Sequence, residues 1–396
     1  MKDFWEEKQG KQEKKINKKK IIILVILVIL LITCITIGII YAKNEQFRNW
    51  IDINVLKKEI NQENLPTIEL KEDDNPTICA FSQNIGVLSK NEFKIYNSTG
   101  KEEKTLTLEI TTPIIDTSNR YLAIGEDNGK KIYLIADKEI VWEKEITGNI
   151  SQIAVNQNGY VAITIVNTSN KAVVEVYDEK GNELFKTFYA TNRVADISLS
   201  NDNKYLAVAE IDTAGTIIKS NIQIISIEAA SNNPDNSIVK KIEGQNNDLI
   251  SNIKYQEKNK LICMYTDRID SISEDGNIET LYKSEDKKVT FMDINMQNSI
   301  IAIEEKSSGL FTADSNVSII NTDNKSVINY TVDSVTKEIY TGNNIIGLNL
   351  GTEMEFINTN GWLVKRYIGS QEITKVVLSN SIAGIVYRDR IEIINL

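Results

Sequence analysis

The chemistry open to this chain is limited first by a residue type that it lacks, because none of its 396 residues is histidine. Without imidazole there is no Ser-His or Cys-His nucleophile pair, no histidine general base and none of the commonest transition-metal ligand. Acidic residues alone could still form a hydrolase site. We cannot assemble one from the sequence, so we predict no catalytic, cofactor-binding or metal-binding residues and a protein that is not an enzyme.

The three cysteines, Cys34, Cys79 and Cys263, are too scattered for a zinc knuckle or a disulfide framework. Cys34 lies in a long apolar stretch, and the other two are flanked by apolar residues in strand-like patterns. Because free cysteine packs as a small hydrophobic residue, we expect buried, inert thiols.

Five polar residues occur near the starts of strand-like segments, one in each of five repeated units; they are Gln152, Asp196, Asn252, Asp293 and Lys375. If these segments are the inner strands of a propeller, the five side chains can form a polar ring at the mouth of its central channel. The alternative is that they satisfy backbone groups of neighbouring strands, as polar side chains often do.

Two long connections between second and third strands are a weaker indication of a binding surface. They span Ile211 to Asn221 and Glu305 to Asn316 and lie on the face that carries the links between units. Loops on rigid scaffolds often carry recognition. Leu310 and Phe311 are apolar in an otherwise polar loop, so we consider them candidates for partner contact, with simple packing as the alternative.

The elements that must position these residues form a repeat. Arg193 to Glu210 predicts two short strands joined by a tight turn, and the same pattern returns from Ser151 and from Val289. A unit this small cannot bury its own apolar face, so it needs neighbours of its own kind.

We divide the chain from Thr77 into seven four-stranded units and one incomplete unit. The first runs from Thr77 to Ile110, and the others begin near Thr112, Ser151, Arg193, Ile250, Val289, Val335 and Ile373. The last unit lacks one outer strand, and Pro66 to Lys71 is an orphan strand before the first. Pairing of that strand with Arg390 to Leu396 would close the ring and remove exposed sheet edges. We therefore predict an all-β, eight-bladed propeller, with seven blades as the alternative.

Glycine turns support this division. The third strand often ends in a turn with glycine before the fourth strand, at Gly100, Gly181, Gly276 and Gly361. Glycine at such a turn supplies a positive φ. Between the third and fourth strands of another unit, Ala229 to Ser237 is rich in Asn and Ser, and we expect a solvated loop there.

The N-terminal segment predicts where in the cell the protein is located. Residues 1–20 form a lysine-rich tail, and residues 21–42 carry no charge over 22 positions, enough to span a bilayer as a transmembrane helix. Lysines are concentrated just before this span. The positive-inside rule therefore predicts that the N-terminus lies in the cytoplasm and that the residues after the span lie outside it. A cleaved signal peptide is the alternative. Residues 43–65 predict a partly helical juxtamembrane linker, and residues 66–396 the extracytoplasmic propeller.

The distribution of charge argues against nucleic acid as a partner. Residues 1–20 carry eight lysines and four acidic residues, a charge of +4, whereas the whole chain carries −10, so the remaining residues carry −14. Binding to a phosphate backbone depends on clustered Lys and Arg, which an acidic body does not provide.

The turns resemble those of quinoprotein-type and WD-type propeller repeats, in which a polar-x-x-Gly turn precedes the outer strand; Trp142 and Trp362 stand where those repeats often carry tryptophan. The order of tail, span, FRNWIDINV juncture and TTPIIDTSNRYLAIGEDNGKKIYLI is similar to an uncharacterised family of membrane-anchored propellers of Gram-positive bacteria. That resemblance implies the architecture and the topology and brings no catalytic residues.

These observations favour a protein-binding or scaffold module of the cell envelope, anchored in the bilayer by residues 21–42, with an envelope or membrane protein as its partner. One alternative is a ligand sensor with a short cytoplasmic tail. A quinoprotein-like enzyme is a further alternative, although the regular Ala-x-Asp and Gly-x-x-x-Trp pattern of those repeats survives here only in fragments.

Overall fold

The computed structural model describes residues 18–43, 47, 51, 55, 65–71, 75–213, 218–245, 248–285, 287–307, 313–342, 344–379 and 381–396. The chain separates into two compact units, residues 1–58 and residues 59–396.

The described part of the first unit is dominated by one helix, α1 (Lys18–Lys43). Its segment Val25–Lys43 has a mean hydropathy of 2.9, none of it is buried, and it is long and apolar enough to cross a membrane. Beyond α1, Phe47 and Ile51 are helical; the other residues of the predicted linker are described only at Val55 and Leu65. A helix of this kind fits either a membrane anchor or a signal sequence.

In the described part of the second unit, 32 strands form eight four-stranded antiparallel sheets. Strand β1 is Thr67–Glu69. Blade 1 consists of β2 (Thr77–Phe81), β3 (Asn84–Ser89), β4 (Glu92–Tyr96) and β5 (Glu102–Thr107). Blade 2 consists of β6 (Pro113–Ser118), β7 (Tyr121–Glu126), β8 (Lys131–Ala136) and β9 (Glu139–Glu145). Blade 3 consists of β10 (Asn149–Val155), β11 (Val161–Val166), β12 (Ala172–Tyr177) and β13 (Glu183–Tyr189).

The next three blades follow the same order. Blade 4 consists of β14 (Arg193–Leu199), β15 (Tyr205–Asp212), β16 (Lys219–Ser226) and β17 (Ile238–Glu243). Blade 5 consists of β18 (Ile250–Tyr255), β19 (Leu261–Tyr265), β20 (Arg268–Ile272) and β21 (Ile278–Lys283). Blade 6 consists of β22 (Val289–Asp293), β23 (Ser299–Ser307), β24 (Ala313–Asn321) and β25 (Val327–Val332).

The last two blades complete the ring. Blade 7 consists of β26 (Glu338–Thr341), β27 (Ile345–Asn349), β28 (Glu353–Asn358) and β29 (Leu363–Ile368). Blade 8 consists of β30 (Lys375–Leu378), β31 (Ile382–Val386), β32 (Arg390–Asn395) and β1, in the spatial order β1-β32-β31-β30.

Closure of the ring depends on a short antiparallel pairing between the two ends of the domain. Ile68 of β1 lies opposite Ile391 of β32, and the flanking pairs are Thr67 with Glu392 and Glu69 with Arg390. The prediction of an eight-bladed propeller closed by N- and C-terminal strands is confirmed, and the seven-bladed alternative is wrong.

The core lies between blades, because each sheet is covered on both faces by its neighbours. The second strands are therefore buried along almost their whole length, as β7 and β11 show. Between blades 2 and 3, the fully buried Ile132 and Leu134 belong to the same cluster as Ile163. Sheets buried on both faces carry near-continuous runs of apolar residues.

The glycine turns adopt the conformation expected from the sequence. The φ angles of Gly100, Gly181, Gly276 and Gly361 are +76°, +82°, +78° and +70°. In blade 3, the Asp178 carboxylate accepts hydrogen bonds from the backbone N–H groups of Lys180 (2.9 Å) and Asn182 (2.7 Å), and the Gly181 N–H donates to the Asp178 carbonyl (3.0 Å). The polar residue and the glycine therefore act together to fix the turn.

The expectation of a solvated loop from Ala229 to Ser237 is wrong. A short helix, α2 (Ile227–Asn232), and a 3-10 turn (Pro234–Asn236) occupy most of it. The Ser226 hydroxyl caps the helix by accepting a hydrogen bond from the Ala229 N–H (3.2 Å). Ile227 and Ala230 are buried in the cluster between blades 3 and 4, and this packing holds the segment on the domain.

The two long connections are shorter than the sequence indicated, because their flanking strands extend into them. In blade 6, β23 and β24 pair as far as Ser307 opposite Ala313. The proposed contact residues Leu310 and Phe311 lie outside the described residues.

Closure makes a testable contribution to stability. Ile68 is 3% exposed, whereas Thr67 beside it on β1 is exposed. We expect Ile68→Ala to lower the free energy of unfolding by about 3 kcal/mol, because it removes buried methyl groups and leaves a cavity at the closing strand. Urea denaturation followed by fluorescence measures the loss, and Thr67→Ala is the control on the same strand. Equal midpoints for the two variants would contradict a closing role for β1.

Candidate functional site

The five predicted ring residues lie on the inner strands, but they do not form a single layer. Gln152, Asp196 and Asn252 follow the register shifts of β10, β14 and β18 and therefore occupy equivalent positions. In blade 6 the residue after the shift is Phe291, and Asp293 lies two residues further along β22. Asp293 is therefore in the next layer, at the position that Ser198 occupies in blade 4.

The layer of Gln152, Asp196 and Asn252 is marked by a recurring hydroxyl group, which shows that Lys375 belongs to the same layer. The residue before each layer position donates a hydrogen bond from its side chain to a carbonyl of the second strand, in Ser151 (3.2 Å), Ser251 (3.1 Å), Thr290 (3.2 Å) and Thr374 (2.9 Å). Lys375 follows Thr374, so it is equivalent to Gln152. This Ser/Thr signal is present in the sequence and identifies the layer better than the strand starts do.

Several of these side chains bind the backbone of the next blade. Asp196 accepts a hydrogen bond from the Ile253 N–H (2.8 Å), and the Gln152 carboxamide donates to the Ala195 carbonyl. The Lys375 ammonium lies 3.5 Å from the Ile78 carbonyl. In the next layer, the Asp293 carboxylate accepts a hydrogen bond from the Thr341 hydroxyl (2.9 Å). These contacts join the inner strands of consecutive blades.

Asn252 differs from the other four. Its side chain is exposed, and among the described residues its carboxamide has no hydrogen-bond partner. Its donor and acceptor are therefore available to a ligand in the channel.

Asp116 of blade 2 is an inner-strand carboxylate that the sequence analysis missed. It accepts a hydrogen bond from the Val155 N–H of blade 3 (2.7 Å), just as the Ser198 hydroxyl accepts one from the Tyr255 N–H of blade 5 (2.9 Å). Asp116 is therefore the blade 2 counterpart of Ser198 and Asp293. The β6 strand has no residue pattern that separates Asp116 from an ordinary surface position, which is why it was overlooked.

The channel changes the acidity of Asp196. The pKa of the Asp196 carboxyl is raised from 3.8 to about 6, chiefly by burial and to a smaller extent by the negative charge of Asp116. The backbone N–H groups of Ile253 and Ile197 and the charge of Lys254 act in the opposite direction. Desolvation dominates because it penalises the ionised form.

At one end of the channel, the turns between first and second strands surround a depression of about 830 Å³ to which all eight blades contribute. We call it the mouth depression. Its wall includes the charged residues Asp116, Asp293 and Lys254, and its rim carries the carboxamides of Gln83, Asn119, Gln157, Asn201, Asn295 and Gln297. Sequence reasoning missed this rim because Asn and Gln in turns are commonly explained by turn chemistry alone.

Some carboxamides of the rim are hydrogen-bonded to the next blade, whereas others have no partner among the described residues. We call the second group the free sector of the rim. In blades 3 and 5, amide side chains bind the next blade; the Gln256 carboxamide, for example, donates to the Ile294 and Ser299 carbonyls at 3.0 Å. By contrast, the carboxamides of Gln83, Asn119 and Gln297 make no hydrogen bond to any part of the chain that the structure describes. Blades 1, 2 and 6 therefore present unused donors and acceptors, and the Asn201 carboxamide of blade 4 likewise has no hydrogen-bond partner among the described residues.

The thiols and the acidic groups do not assemble into a metal site within the described ranges, where no three His, Cys, Asp or Glu residues lie close enough together to hold an ion. Cys79 and Cys263 are buried, and burial raises the pKa of the Cys79 thiol to about 12 and also raises that of Cys263. Both therefore stay protonated near neutral pH. Cys34 lies on α1, within the apolar segment, and is exposed on the surface of that helix.

Asp196 gives the domain a pH dependence of defined sign. Because its folded-state pKa is raised, its contribution to stability is fully present below about pH 4 and is lost as the pH rises through 6. Asparagine cannot ionise, so the unfolding free energy of Asp196→Asn minus that of the wild type should increase by about 2 kcal/mol between pH 4 and pH 8.

Urea midpoints measured across this pH range test the sign. Asp333→Asn, which removes an exposed carboxylate, controls for the change in net charge. A difference that does not change with pH in Asp196→Asn would show that the Asp196 carboxyl is not desolvated.

Several solved structures have a fold similar to that of this chain. Similar solved structures include Sqt1 of Chaetomium thermophilum bound to the N-terminus of ribosomal protein L10 (9% identity, 83% of this chain and 98% of that chain, TM-score 0.52). The dihydro-heme d1 dehydrogenase NirN in complex with DHE is also similar (11% identity, 85% and 78%, TM-score 0.50), as is BamB of Moraxella catarrhalis (12% identity, 84% and 99%, TM-score 0.49). At these identities the likeness shows the fold alone.

Sequence comparison is more specific. No functionally curated protein matches the chain significantly. The profile of one family matches residues 56–396, which is most of the chain and includes the whole propeller. The chain therefore belongs to the family of unknown function DUF5711.

Proposed function

We propose that this protein is anchored in the cell membrane by its N-terminal helix and presents an extracytoplasmic propeller that binds another envelope or membrane protein at the mouth depression. The observation that carries this proposal is the free sector of the rim, where Gln83, Asn119 and Gln297 offer unused carboxamides around a depression of about 830 Å³.

A polypeptide is the partner that best fits such a rim. A carboxamide both donates and accepts hydrogen bonds, so it complements the N–H and C=O groups of a main chain. The turns that carry these side chains are joined to strands of a closed ring, so little conformational entropy is lost when a partner docks. The fold of Sqt1, bound in its structure to the N-terminus of a ribosomal protein, supports this use of a propeller by analogy.

The dimensions and flanks of α1 support membrane anchoring. Its 26 residues extend about 39 Å as a helix, more than the roughly 30 Å of a hydrocarbon core. Its side chains from Val25 to Ile32 are all at least 50% exposed, as expected for a helix covered by lipid. The lysines before it favour a cytoplasmic N-terminus by the positive-inside rule.

We propose binding rather than catalysis, because the polar side chains of the channel are mainly engaged with the next blade. The Asp196 and Asp293 carboxylates accept hydrogen bonds from the Ile253 N–H (2.8 Å) and the Thr341 hydroxyl (2.9 Å) of the next blade, so each is bound to the protein itself. A ligand sensor with a short cytoplasmic tail is the second candidate, and the exposed, unpartnered Asn252 on the inner strand β18 favours it.

Topology can be tested by labelling cysteines with a membrane-impermeant maleimide. We expect Asn119→Cys, on the exposed rim, to be labelled in intact cells from which the wall has been removed, and Lys14→Cys to be labelled only after lysis. The native background should be low, because Cys79 and Cys263 are buried and Cys34 lies within the apolar span. Labelling of Lys14→Cys before lysis, or protection of Asn119→Cys, would reverse the proposed orientation.

Docking at the rim can be tested with a photo-crosslinking amino acid in the native membrane. We expect position 83 to capture a defined protein, and we expect Asn119→Ala with Gln297→Ala to lower the yield several-fold by removing hydrogen bonds to that protein. Position 333, exposed on the link between blades 6 and 7 at the opposite end of the channel, is the matched control. Equal capture from positions 83 and 333 would contradict docking at the mouth depression.

A further inference from the structure

A second, smaller cavity adjoins the mouth depression. It has a volume of about 320 Å³ and lies in the channel wall formed by blades 8, 1 and 2. It shares Asp116, Thr117, Ala80 and Leu378 with the mouth depression, so the two lie side by side. A volume at the low end of the range for ligand pockets suits a small molecule rather than a protein segment.

Two opposite charges line this cavity without pairing to each other. Lys375 lies on the blade 8 wall and Asp116 on the blade 2 wall. Neither has an oppositely charged group within 4.0 Å among the described side chains, although many lysines elsewhere on the domain do, such as Lys287 with Glu304 (2.9 Å).

Both groups also keep unused hydrogen-bonding capacity. The Lys375 ammonium has one contact, to the Ile78 carbonyl at 3.5 Å, which leaves its other N–H donors available. One Asp116 oxygen accepts the hydrogen bond from Val155, and the other accepts none from any described residue. Lys375 stands on β30 and Asp116 on β6, so both are carried by inner strands of the ring.

The remaining lining of the cavity is amphipathic. The hydroxyl groups of Thr77 and Thr117 can bind polar atoms, whereas Ile115, Pro113 and Val377 supply an apolar surface. A ligand that fits this lining therefore carries two opposite charges close together and an apolar group. Such a ligand adds no net charge to the channel, and each of its charges compensates one that the protein leaves unpaired.

We infer that this cavity binds a small zwitterion that carries an apolar side chain, namely an α-amino acid or a short peptide. Its carboxylate accepts hydrogen bonds from the Lys375 ammonium, and its ammonium group donates to the free oxygen of Asp116. Its side chain packs against Ile115 and Val377. Nothing in this inference depends on a protein docking at the rim, so either can fail without the other.

The test uses the full-length protein in detergent and isothermal titration calorimetry. The probes are L-leucine for the free amino acid and L-alanyl-L-leucine for the short peptide. The single-charge analogues are 4-methylpentanoate, which lacks the ammonium group, and 3-methylbutan-1-amine, which lacks the carboxylate. We expect one or both zwitterions to bind and each analogue to bind at least tenfold more weakly, since it leaves one protein charge unpaired.

Three variants locate the site. Lys375→Met keeps most of the apolar stem and removes the charge, and Asp116→Asn keeps an acceptor for the Val155 N–H; each should weaken zwitterion binding at least tenfold. Lys254→Met, which removes a charge that lines the mouth depression but not the smaller cavity, should leave binding unchanged. Circular dichroism melts show whether each variant is folded.

Two results would overturn the inference. One is the absence of binding by both zwitterions at about 10 mM, a concentration at which millimolar affinity is readily detected. The other is zwitterion binding that survives in folded Lys375→Met and Asp116→Asn. Loss of binding in Lys254→Met alone would place the ligand in the mouth depression and would equally contradict the assignment.

Discussion

The constraint on which this structure depends is that no blade can cover itself. Each four-stranded sheet has apolar residues on both faces, and only the two adjacent sheets can remove them from water. Every blade therefore needs a neighbour on each side, and this need is met for the first and last blades only when they pack against each other. Three residue pairs between β1 and β32 complete blade 8 and bury Ile68 in the core between blades 8 and 1, which also includes Ile85 and Ile393.

The same requirement explains the chemistry of the channel. Inner strands of adjacent blades converge there without pairing as sheets, so their backbone N–H groups need acceptors from side chains. Asp116, Asp196 and Ser198 each accept such a hydrogen bond from the next blade. Polar residues in the channel thus hold neighbouring blades in register, and a charge such as that of Lys375, which takes part only weakly, is available for something else.

Much of the architecture could be predicted from the sequence, because it rests on local signals. Alternating apolar runs gave the strands, and Gly100, Gly181, Gly276 and Gly361 marked turns that need a positive φ. Asp293 was assigned to the wrong layer because the residue of β22 equivalent to Gln152 is Phe291, and Asp293 lies two residues further along the strand. The helix after Ser226 was missed because its stability comes from burial of Ile227 and Ala230 against another blade. The free rim of the mouth depression is a property of distant turns, which no local pattern reports.

The pairing of Thr67 with Glu392 has a consequence for how the protein is made. The first strand of the domain to leave the ribosome is the last to find its partner, since that partner is encoded at the far end of the chain. Seven blades can form in order during synthesis, while the eighth waits for the final residues. Until then both ends of the growing arc expose uncovered sheet faces to the surroundings, so a nascent chain released early would be prone to aggregate.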